Sequence, residues 1–198
     1  MKRILFFGAM VLGLLSSLEA QTKPNPYDLL PLVPSFTLTS DDIINGVALS
    51  PAQMSGAFGV PGGKDVSPQL SWTNVPAGTK SFVVTMYDPD APTPSGFWHW
   101  VVVDIPAATT TLATGVGSAD GKQLPKGAWQ LPNDARMAQF VGAAPPAGTG
   151  KHRYFVVVQA LDVATAGVPK DSTPAFLSFN ILSHVLGRAM IVPYAEQK

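Results

Sequence analysis

The sequence predicts a mainly β domain with a single helix near its C-terminus. Three observations carry this. Glycine and proline, 18 and 19 of 198 residues, punctuate many short apolar runs. Two of those runs, Phe82–Tyr87 and Tyr154–Leu161, are near-continuous and rich in β-branched residues, the pattern of strands buried on both faces. Only one stretch, from Phe176 to Ala189, has convincing helical spacing.

The elements follow in order. Lys2 and Arg3 precede 12 apolar or small residues, Ile4–Leu15, and the chain then turns small and polar through Ser16, Ser17 and Ala20. That is the build of a secretory signal, cleaved near Ala20, with an uncleaved anchor as the alternative. The run is short of the roughly 20 residues that a membrane span needs, so no stable membrane insertion is expected. Residues 21–35, marked by Pro24, Pro26, Pro31 and Pro34, read as an irregular arm packed on the surface. Residues 36–198 read as one domain, with an edge strand at Phe36–Thr39 and strands at Gln69–Trp72, Phe82–Tyr87, Trp98–Ile105 and Tyr154–Leu161. The long connection from 107 to 149 is expected to wrap the sheet and shape the rim of a pocket. Asp171, Ser172 and Thr173 are cap candidates for the helix, Pro174 suits its first turn and Pro193 stops it. His184 falls inside that span and reads as an ordinary helix histidine.

Composition removes several functions. Without Lys2, Arg3 and Glu19 the 13 basic and 13 acidic residues become 11 and 12, so the exported chain has a formal charge of −1. Such a balance offers no electrostatic footprint for nucleic acid or for an anionic membrane face. There are no cysteines, which excludes thiolate chemistry, cysteine-ligated zinc and a lipidated cysteine, and leaves stability to the core.

The residues that carry chemistry lie at predicted strand ends. Asp88 closes one strand and begins Asp88-Pro89-Asp90-Ala91-Pro92, a stiff segment suited to a preset wall. His99, between Trp98 and Trp100, opens the next, and period-two alternation places it opposite both indoles. His152 and Tyr154 share a face near a third strand start, with Lys151 and Arg153 on the other. Asp88, His99, His152 and Tyr154 can therefore converge on one pocket, with glycine-flanked amides near Gly148 and Gly150 as further donors. A carboxylate beside an imidazole orients it, and imidazole and phenol donate to anionic oxygens. Two histidines and a carboxylate also match a facial metal triad, but no histidine pair at i,i+4 supports it, so no metal and no cofactor are expected. Nucleophilic catalysis lacks a Gly-x-Ser-x-Gly elbow, and the tetrad Gly148–Lys151 lacks the upstream glycine of a phosphate loop, so no catalytic residue is assigned.

Several blocks occur together and in order: Leu38–Ile43, Ser67–Trp72, Val75–Ser81, Asp88–Pro92, His99-Trp100, Pro145-Pro146, His152–Tyr154 and Ala160–Asp162. In this the sequence resembles the phosphatidylethanolamine-binding protein family, in the bacterial branch similar to Raf kinase inhibitor proteins. The resemblance implies a β-sandwich with Greek-key character, a C-terminal helix and a small anion pocket. Carried over residue by residue, it implies Asp88, His99, His152 and Tyr154 as the pocket's polar groups and Ala91, Pro92 and Pro145 as its wall. Asp90, Trp98 and Gly150 are expected to support it, Asp90 by holding the loop. Three departures from the family's pattern stand out, and the first is expected to loosen one rim and alter ligand size or affinity. Phe140–Ala144 replaces a Tyr-x-Gly-Pro segment, Asp65 stands where asparagine is usual, and Ala135-Arg136 replaces an aromatic–glycine pair. The expected function is an exported binding protein for a phosphate-like, head-group or carboxylate ligand, not an enzyme. The alternative is an inhibitor or signalling protein acting through a protein partner, with the pocket as a switch. Homodimerisation stays open.

Overall fold

The computed structural model describes residues 23–198. The expected signal at 1–20 lies outside the described residues. The segment up to Leu30 forms a unit of its own, in which Pro26–Leu29 make a short 3-10 helix capped by the Asn25 side chain, which accepts from the Tyr27 amide. The remainder, from Pro31 to Lys198, is the second unit and contains every strand described here.

Five strands form the main sheet. β3 (Ser81–Asp88) runs antiparallel between β4 (Phe97–Pro106) and β8 (Phe155–Leu161). β6 (Trp129–Gln130) edges β4, and β9 (Val185–Ile191) edges β8. A second sheet orders β1 (Thr37–Thr39), β2 (Leu70–Thr73) and β5 (Thr111–Leu112). β7 (His152–Arg153) pairs with β10 (Tyr194–Ala195). The edge position expected for Phe36–Thr39 holds, because β1 has β2 as its one partner in the second sheet.

The apolar runs of β3, β4 and β8 exist because both faces of the main sheet are covered. Phe82, Val84, Met86, Trp100, Val102, Val156 and Val158 pack with Leu70 and Trp72 of the second sheet. The alternate residues Val83, Val101, Val103 and Leu161 pack with Leu177 and Ile181 of α1 (Pro174–Ile181). A period of two with both sets apolar is the pattern that such double coverage requires.

The helix is shorter than its spacing suggests. Thr173 caps it, its hydroxyl accepting from the Phe176 amide at 3.1 Å, and Pro174 sits in the first turn. It ends at Ile181, a 3-10 turn spans Leu182–His184, and the chain then enters β9. Residues 185–189 are thus strand, not helix, and His184 lies in the turn, bonded to Asp162 at 2.8 Å. Two physical reasons account for the difference. Gly187, Ala189 and Ile191 are buried in alternation, which is a strand period. The helix also buries Pro174, Leu177 and Ile181 and leaves Phe179 77% exposed, so its bulky aromatics do not mark its core face.

The middle connection carries β5 and β6 and returns along β4: the Leu131 amide donates to Val101 and the Val141 amide to His99. Arg136 within it has a φ of 61°, the left-handed conformation that glycine adopts most freely.

Gly187 marks the tightest approach to β9. A Cβ there would lie 2.6 Å from Pro76 Cγ and 3.0 Å from the Pro34 carbonyl oxygen. Gly187→Ala is expected to lower the unfolding free energy by about 1–3 kcal/mol in urea titration. An unchanged midpoint would contradict this packing.

Candidate functional site

A cavity of ≈ 140 Å³ lies where β3 ends, β4 begins and β7 meets β8. All seven residues expected to contact a ligand line it: Asp88, Ala91, Pro92, His99, Pro145, His152 and Tyr154. The volume resembles that of a void that holds one benzene-sized guest.

Asp88 is the last residue of β3 and is 2% exposed. Its Oδ1 accepts the Asp90 amide at 2.8 Å, closing a turn of the Asx kind, and its Oδ2 accepts from His152 Nδ1 at 2.8 Å. Of the two histidines it was expected to orient, Asp88 therefore bonds His152. The other ring nitrogen, Nε2, lies 2.8 Å from Thr149 Oγ1, whose single proton goes to the Pro146 carbonyl at 2.7 Å. Both ring nitrogens of His152 are thus engaged within the protein. Asp90 grips Arg153 through its backbone amide at 3.0 Å, Nε at 2.8 Å and Nη2 at 3.1 Å, which ties the proline-rich loop to β7.

His99 reaches the cavity through a break in the β3–β4 register. Met86 pairs with Trp100 and Tyr87 with Trp98, so His99 is the extra residue of a β-bulge. Bulges re-aim side chains, and the direction of His99 follows from the bulge, not from the simple alternation expected. Its Nδ1 donates to the Val141 carbonyl at 3.0 Å. Burial pushes its pKa below the ordinary imidazole value, against the opposing pull of Asp88, the Val141 and Gly142 carbonyls and Asp134. The neutral ring carries its proton on Nδ1, so Nε2 is an acceptor. This corrects the expectation that both imidazoles donate to a ligand.

Tyr154 packs its ring edge-on to His99, with centroids 5.2 Å apart. Its hydroxyl is buried and makes no hydrogen bond of ordinary geometry. Burial, then the charge of Asp88 and a long hydrogen-bonding interaction with its carboxylate, then the charge of Asp90, hold the phenol far above its usual range, so it is a neutral donor with Asp88 as its nearest acceptor.

The walls include residues that the sequence did not reveal. Phe58, Thr93, Phe97, Ala144 and Pro146 also line the cavity. Phe97 stacks at a tilt on His99, and Phe58 meets Phe97 edge-on. Phe97 had a readable signal, two residues before His99; Phe58, in a glycine-rich loop, had none. Asp65 joins the two walls: its Oδ1 accepts the Gly142 amide at 2.8 Å and its Oδ2 the Ala57 amide at 2.9 Å. Burial raises its pKa, but donors from Ala57, Gly142, Ser55 and Gly56 outweigh this and hold it below the usual carboxylate range. Gln197 donates to the Pro145 carbonyl at 2.6 Å, pinning the opposite rim.

Of the expected supports, Asp90 holds its loop as described. Trp98 stacks on Tyr87, with centroids 4.4 Å apart, and neither it nor Gly150 lines the cavity. The Gly148 amide is taken by the Gln197 carbonyl at 3.2 Å and is not a ligand donor. Among the described residues no group of three or more His, Cys, Asp or Glu side chains is placed to hold a metal, and no helix is long and apolar enough to cross a membrane.

Comparison with known proteins places these features in a wider set. A family model described as phosphatidylethanolamine-binding protein matches residues 39–195. The UPF0098 protein YbcL of Escherichia coli is 44% identical over 164 residues, 83% of this chain and 89% of that one. The YbcL crystal structure superposes with a TM-score of 0.80, covering 83% of this chain and 99% of its own; its description calls YbcL a new member of the mammalian PEBP family. The UPF0098 protein YbhB of E. coli is 45% identical over 154 residues, 78% of this chain and 96% of that one. A Mycobacterium tuberculosis protein named as lipoprotein LppC is 34% identical over 131 residues, 66% of this chain and 60% of that one.

Two stability measurements check the site's electrostatics. Asp88→Ala leaves a buried imidazole without its carboxylate and is expected to cost about 3–5 kcal/mol of unfolding free energy. A cost below 1 kcal/mol would contradict the pair. For His99 the folded pKa is lowered from 6.5, so the unfolded chain binds the proton more readily. Stability therefore falls as the pH drops through 6.5, until the folded state is protonated as well. His99→Gln should flatten that decline in urea titrations between pH 8 and 5; an unchanged profile would show that His99 is not buried neutral.

Proposed function

This chain belongs to the phosphatidylethanolamine-binding protein family, and on that premise we propose that it is an exported binding protein whose cavity holds one small oxyanion. The ligand is a phosphate group, a phosphorylated head group or a carboxylate. The observation that carries this reading is the buried Tyr154 hydroxyl, which has no partner at ordinary hydrogen-bond geometry and only a long interaction with Asp88, on the wall of a cavity of ≈ 140 Å³. A buried polar group left unpaired is costly, and an anionic oxygen would satisfy it. The volume suits a head group and excludes acyl chains. Aromatic and proline walls keep water out and strengthen each polar contact inside.

Binding without catalysis fits the hydrogen bonding. Thr149, His152 and Asp88 form a hydroxyl–imidazole–carboxylate row, which invites comparison with a nucleophilic triad. The Thr149 hydroxyl, however, donates to the Pro146 carbonyl at 2.7 Å, which holds its proton away from His152. Thr149 also stands outside the cavity lining.

Export rests on the charged start at Lys2 and Arg3, the apolar run Ile4–Leu15 and the small residues near Ala20, and the name of the mycobacterial relative agrees with it. N-terminal sequencing of the protein recovered from the cell envelope or medium should begin near Gln21. Protein found only in the cytoplasm with Met1 intact would refute export.

Tyr154→Phe separates function from stability. Removing the hydroxyl deletes a hydrogen bond to a charged ligand, worth about 1.5–3 kcal/mol, so affinity for phosphate should fall by roughly 10–150-fold in titration calorimetry. Because the hydroxyl makes no hydrogen bond of ordinary geometry without ligand, the variant should unfold little more easily than the parent. Unchanged affinity would remove the observation on which the proposal stands.

A further inference from the structure

The hydrogen bonds already made inside the cavity restrict which protonation state of a ligand can be satisfied there. Five side chains with polar atoms line it: Asp88, Thr93, His99, His152 and Tyr154. Asp88 has both oxygens engaged, by the Asp90 amide and by His152. His152 has both nitrogens engaged, by Asp88 and by Thr149. The Thr93 hydroxyl donates to the Gly96 carbonyl. His99 has spent Nδ1 on the carbonyl of Val141, a residue outside the lining. Two side-chain positions then remain for a guest: the Tyr154 hydroxyl, a donor, and His99 Nε2, an acceptor while the ring is neutral.

A fully ionised oxyanion offers only acceptors. It satisfies Tyr154 but sets its own lone pairs against that of His99 Nε2. A guest carrying one acidic proton resolves the conflict, since one oxygen accepts from Tyr154 and another shares its proton with Nε2. The surrounding charges favour the same outcome. Around His99 stand Asp88 at the end of β3 and Asp134 from the middle connection, whose Oδ2 accepts the Trp98 amide at 2.9 Å. His152 and Tyr154 complete the titratable set. Two carboxylates near a dry pocket repel a dianion, and one added proton reduces that repulsion.

We propose that the cavity takes up one proton together with its oxyanion, the proton lying between His99 Nε2 and a ligand oxygen. This rests on the oxyanion reading given above and adds the form of ligand that is bound. The guest is a phosphate monoester or a carboxylic acid bound with one proton, or equally the ionised form held against a protonated His99; inorganic phosphate brings the proton itself, as its dianion keeps one P–OH. The proton comes from solvent, no covalent bond to phosphorus or carbon forms or breaks, and the proton returns to solvent when the ligand leaves. The protein would thus bind tightly in mildly acidic surroundings and release as the pH rises.

Titration calorimetry of the protein with inorganic phosphate and, in parallel, phosphoethanolamine tests this. At pH 8 a phosphate monoester, whose second pKa is about 6, is almost wholly dianionic. Paired runs in two buffers of different ionisation enthalpy give the number of protons taken up. The expected result is close to one proton taken up per phosphoethanolamine, with its affinity falling about tenfold per pH unit between pH 7 and 9, and no uptake with inorganic phosphate, whose dianion already carries a P–OH donor. His99→Gln offers a side-chain amide that donates without titrating, so proton uptake should vanish in it. Binding of phosphoethanolamine with no uptake and flat affinity would overturn the proposal and leave the oxyanion reading standing. Uptake that persists in His99→Gln would also overturn it, by placing the proton elsewhere. Failure of both anions to bind at any pH would overturn the oxyanion reading, and this proposal with it. Tighter binding of phosphoethanolamine than of inorganic phosphate would identify a head group as the source of the anion; the reverse would identify the free ion.

Discussion

The buried pair of Asp88 and His152 is the interaction on which the site depends. Asp88 closes the central strand of the main sheet, and His152 sits in β7, held 64 residues later in the chain. Their bond fixes where β3 stops and where the chain approaching β8 must pass. The proline-rich loop and Tyr154 take their places from that anchor. The second oxygen of Asp88 turns the loop toward Asp90, Asp90 clasps Arg153, and Tyr154 follows directly in the chain. Such a pair is a poor source of net stability, because taking both groups from water offsets most of their attraction, but losing one partner is severe. Its contribution is placement.

Around that anchor the protein divides its polar groups into those that are satisfied and those that are held open. Asp88, His152, Asp90 and Asp65 are fully engaged in joining segments distant in sequence. Tyr154 and one nitrogen of His99 are held in a small, mostly apolar space with nothing in hand. Rigid walls of Pro92, Pro145 and Pro146 and the aromatic rings of Phe58 and Phe97 frame the space. A binding site built in this way needs little reorganisation when its guest arrives.

Much of this was legible in the sequence, and the failures have physical causes. β3, β4 and β8 announced themselves because a sheet covered on both faces needs unbroken apolar runs. The seven cavity residues were legible through the proline-rich loop, the two histidines at strand starts and the family's order of motifs. β9 was misread as helix because Val185, Leu186 and Ala189 satisfy both periods, and only burial shows that Gly187, Ala189 and Ile191 form the inner row. The orientation of His99 was not legible, since a bulge has no local signature when neighbouring residues are all good strand formers. Phe58 and Asp65 were missed as wall and tie because their role depends on a loop meeting Gly142, 77 residues beyond Asp65. Gly142 itself leaves no room for a Cβ, which would lie 2.4 Å from the Met54 carbonyl carbon.

The central claim is that the Tyr154 hydroxyl and His99 Nε2 are the open groups that receive a small oxyanion. The most direct test is a crystal structure of the protein grown with phosphate. The account predicts one phosphate inside the cavity, with separate oxygens within about 3 Å of Tyr154 Oη and His99 Nε2 and the Asp88–His152 bond unbroken. A cavity without phosphate at saturating concentration, or phosphate bound only to surface lysines, would contradict it.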